Sequence, residues 1–270
     1  MSQNPSNDAP AEANIEQFDL PAEMFRSGEQ IEITTLQMQR RFYKRQNVDV
    51  KFADLEGLAI YEGDIALGKT EEVRGQNDPD PLGIGIIGDE FRWSIPIHFV
   101  TEEVLRPRVE AAIAHWEEKT VFRFEEGEAK DYLSFKRLNG CWSQVGRRGG
   151  EQEISLGTGC SVGAAIHEIG HALGLWHEQS RSDRDHFIEI ISENIIPSQK
   201  HNFDKHVQDA EDLGNYDYES IMHYPPTAFS VNGQPTIRAA GGVPIGQRNG
   251  LSKGDIIAVK MMYPKLKWPA

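Results

Sequence analysis

Only two cysteines occur in 270 residues, which excludes a small scaffold stapled by several disulfides and leaves stability to a buried apolar core. No run of eighteen apolar residues is present, so no segment spans a membrane as a helix. Basic residues are scarce beside acidic ones, 28 Lys and Arg against 42 Asp and Glu, for a formal net charge of −14. Nucleic acid is thereby excluded as a partner, because phosphate binding needs clustered cations that the chain does not show. The acidity bears mainly on solubility. Internal repeats are also missing. What is there is ordinary for a globular protein: 39% hydrophobic and 9% aromatic residues, in a length that suits one large domain or two small ones.

The first twenty residues, Met1 to Leu20, are rich in Asn, Glu, Asp, Ala and Pro and lack a basic start followed by a hydrophobic stretch. They read as disordered and not as a signal peptide. A second polar, turn-rich stretch, Gly75-Gln76-Asn77-Asp78-Pro79-Asp80-Pro81, reads as an exposed linker. The segment between these two is too small to hold a core of its own. Within it, Gln37 to Asn47 is basic, has no interior Gly or Pro, and is helix-compatible.

From Arg92 onward the periodicity changes. Trp93, Ile95, Ile97 and Phe99 alternate as a strand should, and Val104, Leu105, Val109, Ala112, Ile113 and Trp116 recur at helical spacing over Thr101 to Lys119. Further strands are expected around Phe122 and Phe124, at Tyr132, Leu133 and Phe135, and at Ile154 and Leu156. Strands followed by helices predict an α+β fold, a mixed sheet with a backing helix. After His177 the chain is rich in Pro, Gly, Asn and Asp, so it should be irregular apart from a helix near Ser252 to Met262.

The most informative run is His167-Glu168-Ile169-Gly170-His171-Ala172-Leu173-Gly174-Leu175-Trp176-His177. On a helix, His167 and His171 lie one above the other and present two imidazoles at the separation a single Zn²⁺ requires. Glu168 is rotated from the first ligand by about 100°, which places it as a general base towards a water on the metal, not as a ligand. Gly174 can take a left-handed conformation and end the helix, so that the chain turns back and brings His177 to the same metal. Three imidazoles with one open position describe a catalytic zinc site, and hence a metallopeptidase. A bare His-Glu-x-x-His arises by chance roughly once in a hundred chains of this size, and the added glycine and third histidine lower that several hundredfold. A buried amphipathic helix with hydrogen-bonded histidines is the competing explanation, and burying three histidines and a glutamate without a metal is costly.

The pattern extended through Gly174 and His177, with Ser220-Ile221-Met222-His223-Tyr224 as a methionine-bearing turn downstream, resembles the metzincin metallopeptidases. Glu178 after the third histidine, followed by Arg181, Asp183, Arg184 and Asp185, resembles the astacin family. So do His115 to Thr120, Gly140-Cys141-Trp142-Ser143, Ser155-Leu156-Gly157 and Gly246-Gln247-Arg248. The resemblance covers about residues 90 to 264. It implies a zincin fold, in which a mixed twisted sheet with backing and active-site helices stands above an irregular C-terminal subdomain. It also implies one Zn²⁺ held by His167, His171 and His177, with Glu168 and Tyr224 as catalytic residues and Met222 as the floor of the site. Tyr224 would be able to lie on the zinc and swing off to stabilise an oxyanion, and Glu178 would receive the α-amino group of a mature N-terminus.

Tyr61-Glu62-Gly63-Asp64-Ile65 is similar to the family's pro-segment motif, whose aspartate ligates zinc in the zymogen; taken alone it is a Gly-Asp turn between two short strands. The implied organisation is a disordered start over 1–20, a pro-segment over 21–74, an activation region over 75–90 and a catalytic domain over 91–266. The pro-segment would act as an intramolecular inhibitor of an enzyme whose substrates are proteins or peptides. The spacing of Cys141 and Cys160 suits either a disulfide or two separate thiols, and the resemblance favours the disulfide, worth roughly 3 kcal/mol by chain entropy. It further implies a secreted monomer, so that either a leader is missing from the sequence or export runs by another route. Arg238, near the expected cleft wall, is either a contact for an acidic substrate residue or a surface charge.

Overall fold

Helical periodicity in the middle of the chain builds the frame that carries the site. In the computed structural model, residues 34–39, 47–75, 88–205 and 211–268 are described. Residues 1–20 and most of the expected linker lie outside them. A helix apolar over most of its circumference belongs inside a protein, and α3 (Val162–Leu173) is buried from Gly163 to Leu173, its two histidines and its glutamate included. Its start is set by Ser161, whose hydroxyl accepts the N–H of Ala164 at 3.0 Å. Helix α2 (Arg106–Lys119) opens with Pro107 in its first turn and buries one stripe, Val109, Ala112, Ile113 and Trp116. The Trp116 indole donates to the carbonyl of Ile166 at 3.1 Å, which ties α2 to α3.

Both helices share one hydrophobic cluster with four strands: β5 (Ile97–Thr101), β7 (Tyr132–Lys136), β8 (Cys141–Ser143) and β9 (Glu151–Leu156). Strand β5 pairs in parallel with β6 (Phe124–Glu126) and β7, β7 in parallel with β9, and β9 antiparallel with β8. The expected strand at Trp93 begins only at Ile97. Pro96 has no N–H for a ladder, and the Trp93 indole instead donates to the Ala172 carbonyl at 2.8 Å. Strand β8 is too short for alternation to reveal. It is also one end of a disulfide, Cys141 to Cys160, with Cα atoms 5.9 Å apart.

The upstream segment extends this sheet. Strands β1 (Thr34–Gln39), β2 (Asn47–Leu55), β3 (Leu58–Tyr61) and β4 (Ile65–Lys69) form an antiparallel meander, followed by the short α1 (Thr70–Gly75). Strand β4 pairs in parallel with β8, so the nine strands run β1-β2-β3-β4-β8-β9-β7-β5-β6. The helix-compatible reading of Gln37 to Asn47 is corrected at its two ends, and its residues 40–46 lie outside the described residues. Gln37 to Gln39 and Asn47 are strand, because ladder hydrogen bonds between β1 and β2 outweigh a weak helical preference.

Beyond His177 the expected irregularity is found: short 3₁₀ turns, a two-stranded sheet of β10 (Ile188–Ile190) and β11 (Ile237–Ala239), then α4 (Lys253–Met262). Ser252 and Asp255 cap α4 reciprocally. No helix among the described residues is long and apolar enough to cross a membrane. The architecture is α+β, with the metal-ligand helix at the junction of the sheet and the irregular lower half.

Candidate metal centre

Helical spacing places His167 and His171 with ring centroids 4.6 Å apart. Gly174 ends α3 in the left-handed conformation at φ 109°, its N–H donating to the carbonyls of Gly170 and His171. The turn brings His177 to 4.7 Å from the His171 ring and 5.4 Å from that of His167. Each imidazole is held through Nδ1, which donates to the Ile221 carbonyl at 2.9 Å for His167, to the Leu175 carbonyl at 2.8 Å for His171, and to the Glu62 carboxylate at 2.8 Å for His177. Because the acceptors are oxygens, the proton sits on Nδ1 and the Nε2 lone pairs face one another, the arrangement of metal-ligating histidines.

Asp64 completes the group. It stands at the turn between β3 and β4, where Glu62 and Gly63 both have positive φ, 47° and 80°. The turn between two strands and the family-like motif are thus one object. Asp64 Oδ2 lies 3.3 Å from Nε2 of both His167 and His177, and Oδ1 lies 3.1 Å from Nε2 of His177 and 3.6 Å from that of His171. One ligand atom from each of these four buried residues lies within 4.8 Å of the others. Asp64 Oδ1 and His171 Nε2 have no hydrogen-bond partner although buried, a cost that a shared cation removes. Three imidazoles and a carboxylate are a donor set for zinc.

The electrostatics fit the same picture. Burial opposes the charge of Asp64, but the charge of His177 and the close approach of all three imidazoles hold its carboxyl well below the usual range. Burial depresses His167 and His171, favouring the neutral form a metal takes. It acts likewise on His177, which Asp64 and Glu62 nevertheless lift to about 9. A cation among the rings would take the place of that proton.

Glu168 is fully buried, outside the four-residue group, with neither oxygen hydrogen-bonded. Burial, then the charge of Asp64, push its carboxyl well above the usual range, and Arg248 opposes them. Tyr224 packs 4.7 Å from the His177 ring, and its hydroxyl donates to the Glu62 carbonyl. Met222 is buried beneath α3, its sulfur so near Gly170 that a Cβ there would lie 2.9 Å away. Glu178 accepts the Asp217 N–H at 2.7 Å and stands 3.6 Å from the Arg181 guanidinium. It also lines a cavity of about 280 Å³ that reaches Gly88, Asp89 and Arg92. Burial pushes its carboxyl up to about 8 against the pull of Arg181 and the Asp217 N–H.

The other described histidines, His98, His115, His186, His201 and His223, stay outside the ligand group, and His206 lies outside the described residues. Arg238 pairs with exposed Glu189 at 2.6 Å, as a surface charge does. Two residues with no role assigned from sequence belong to the site. Glu62 holds His177 and accepts the Ser180 hydroxyl at 2.7 Å. Arg248, half-buried, donates to the carbonyls of His223 and Gln247 and favours ionisation of Asp64 and Glu168. Each stands in a motif that was recognisable, Tyr61 to Ile65 and Gly246 to Arg248, but neither motif says where its charge points.

Fold and site together define a zinc metallopeptidase domain of the metzincin kind, with a place for one zinc ion. The model of the astacin peptidase family matches residues 87–264, and the chain belongs to that family. Meprin A subunit beta of Homo sapiens is 39% identical over 220 residues, which cover 77% of this chain and 30% of that protein. Zinc metalloproteinase nas-13 of Caenorhabditis elegans is 45% identical over 164 residues, 58% of this chain and 36% of that protein. The chain thus spans about a third of the length of these curated relatives. The solved structure of high choriolytic enzyme 1, a hatching enzyme zinc-protease from Oryzias latipes, is 38% identical with a TM-score of 0.63, covering 67% of this chain and 98% of that one. The meprin match takes in more of this chain than residue 87 to the C-terminus can supply, so the likeness continues upstream.

Proposed function

We propose that the chain is the latent precursor of a secreted, monomeric zinc endopeptidase acting on proteins or peptides. Residues 21–74 are its inhibitory segment, 75–90 its activation region and 91–266 its catalytic domain. The observation that carries this reading is the position of the Asp64 carboxylate among the three Nε2 atoms, at 3.1 to 3.6 Å. His167, His171 and His177 would hold the metal, which when bound lowers the pKa of a water towards 7 and polarises the substrate carbonyl. Asp64 takes up the space among the imidazoles that the attacking water needs.

Once the segment leaves, Glu168 is the base. A buried carboxylate without hydrogen-bond partners is a strong proton acceptor when ionised, and it returns the proton to the leaving amine. The Tyr224 hydroxyl, released from the Glu62 carbonyl, becomes a donor for the oxyanion. Glu178 receives the α-amino group that cleavage creates, in the cavity it lines beside Gly88. The cut therefore removes an inhibitor and supplies a cation to a buried carboxyl.

The test is casein hydrolysis by the intact chain, intact Asp64→Ala and the chain trimmed between Lys69 and Arg92, at equal zinc occupancy and with a chelator control. The expected order is silent, partly active and fully active, with all activity lost to the chelator. A fully active intact chain overturns latency, and chelator-resistant hydrolysis overturns the zinc mechanism.

A further inference from the structure

The Nδ1 partners of the three histidines differ in what stands behind them. Leu175, behind His171, is the residue just past the end of its own helix, and Glu62, behind His177, belongs to the segment upstream of the catalytic domain. Behind His167 is the carbonyl of Ile221. That carbonyl shares a peptide unit with the N–H of Met222, which donates to the Ser220 hydroxyl oxygen at 3.0 Å. Ser220 in turn donates its hydroxyl to Asp255 Oδ1 at 2.6 Å. His167, Ser220, Ile221, Met222 and Asp255 are all buried.

Every donor in this series points the same way, from imidazole to carbonyl, through the peptide to the hydroxyl, and on to the carboxylate. Bonds aligned in one direction polarise one another, and in a dry interior the effect is not screened. An anion at the far end therefore makes the Ile221 carbonyl a stronger acceptor for the His167 N–H, and Nε2 a better electron donor. Burial raises the Asp255 carboxyl, and hydrogen bonds to its charged form pull the other way. Its Oδ2 accepts the N–H groups of Ile221 at 3.0 Å and Ser252 at 2.8 Å, and it sits in the first turn of α4, where the helix dipole favours an anion.

We infer that Asp255 and Ser220 are positioning residues for the metal, a relay of carboxylate, hydroxyl and peptide that orients His167 and strengthens it as a ligand. The inference rests on the assignment of His167 as a zinc ligand. The competing role for Asp255 is that of a helix cap alone, since it bonds Ser252 reciprocally. The two roles come apart in mutagenesis. Ser252→Ala removes the hydroxyl that accepts the Asp255 N–H and leaves the relay intact, whereas Ser220→Ala breaks the relay and leaves the cap.

The experiment is zinc competition against a chromophoric chelator on the full chain, with melting temperatures of the metal-free proteins and visible spectra of the cobalt(II) forms alongside. Ser220→Ala and Asp255→Asn should each weaken zinc binding about tenfold or more and shift the cobalt spectrum. Ser252→Ala should lower the melting temperature while holding zinc as the wild type does. The relay is overturned if Ser220→Ala and Asp255→Asn bind zinc like the wild type, or if Ser252→Ala weakens binding as much as they do. His167→Ala distinguishes the premise from the inference, for wild-type zinc affinity in that variant would remove His167 from the ligand set altogether.

Discussion

The carboxylate of Glu62 accepts the Nδ1 proton of His177 at 2.8 Å, so the hairpin that brings Asp64 among the metal ligands also fixes the orientation of one of them. The same carboxylate accepts the Ser180 hydroxyl, and the Glu62 carbonyl holds Tyr224. A hydrogen bond to a charged group contributes about 1.5–3 kcal/mol. Glu62→Ala should therefore raise hydrolysis by the uncut chain about tenfold or more, while the trimmed enzyme made from it matches the trimmed wild type. An uncut variant as silent as its parent would make Glu62 a bystander.

Glu168→Gln should keep the fold and a full equivalent of zinc, because the side chain lies outside the ligand group. Loss of a general base costs roughly 10² to 10⁴ in rate. Casein hydrolysis by the trimmed variant is the measurement, with zinc content by atomic absorption beside it. Near wild-type turnover would remove Glu168 from the mechanism.

Gly63 has φ 80°, and a Cβ there would stand 2.7 Å from the Phe229 ring. Gly63→Ala combines a left-handed backbone with a clash, at a cost on the order of 1–3 kcal/mol. The strain falls on the hairpin, so the uncut variant should show raised basal hydrolysis and faster activation by limited proteolysis. Unchanged kinetics of the uncut chain would count against a hairpin seated this tightly in the cleft.

The pH dependence of stability has an identifiable contributor in His223, buried between the Tyr216 hydroxyl at 2.7 Å and the Tyr224 carbonyl at 2.8 Å. Burial lowers its pKa from 6.5 to about 4. The unfolded imidazole gains a proton below 6.5 that the folded one refuses until about 4, so the unfolded state binds more protons in that window and stability falls as the pH drops through it. At about 1.4 kcal/mol per pH unit the loss approaches about 3 kcal/mol. Thermal unfolding in chelator at pH 6.5 and at pH 4 should show a smaller decrease for His223→Gln than for the wild type. Equal decreases would mean that other groups account for the acid lability.

Much of the centre was readable before any fold was known, because it is local. His167 and His171 are one helical turn apart, Gly174 ends that helix, and α4 falls near Ser252 to Met262 where expected. Such features depend on a period of 3.6 residues and on backbone conformations that few residue types adopt. The alternation from Ile97 to Phe99, in Tyr132 to Phe135 and in Ile154 to Leu156 likewise marked the central strands. The motif at Tyr61 to Ile65 pointed to Asp64 through family likeness, while its spacing alone spoke only for a turn.

The tertiary structure decided which distant groups face one another. Asp64 meets His167 across 103 residues of sequence, and Ser220 meets Asp255 across 35. Strand β8 has three residues, too few for alternation, and is a strand because β9 and β4 flank it. Gln37 to Gln39 became strand where composition allowed a helix, since an extended neighbour offered a ladder. Glu62, Arg248 and Asp255 carry charges whose targets no local pattern encodes. Residue type and spacing determine which side chains are capable of holding a metal or moving a proton, whereas burial and orientation, set by contacts between segments far apart in the chain, determine which of them do.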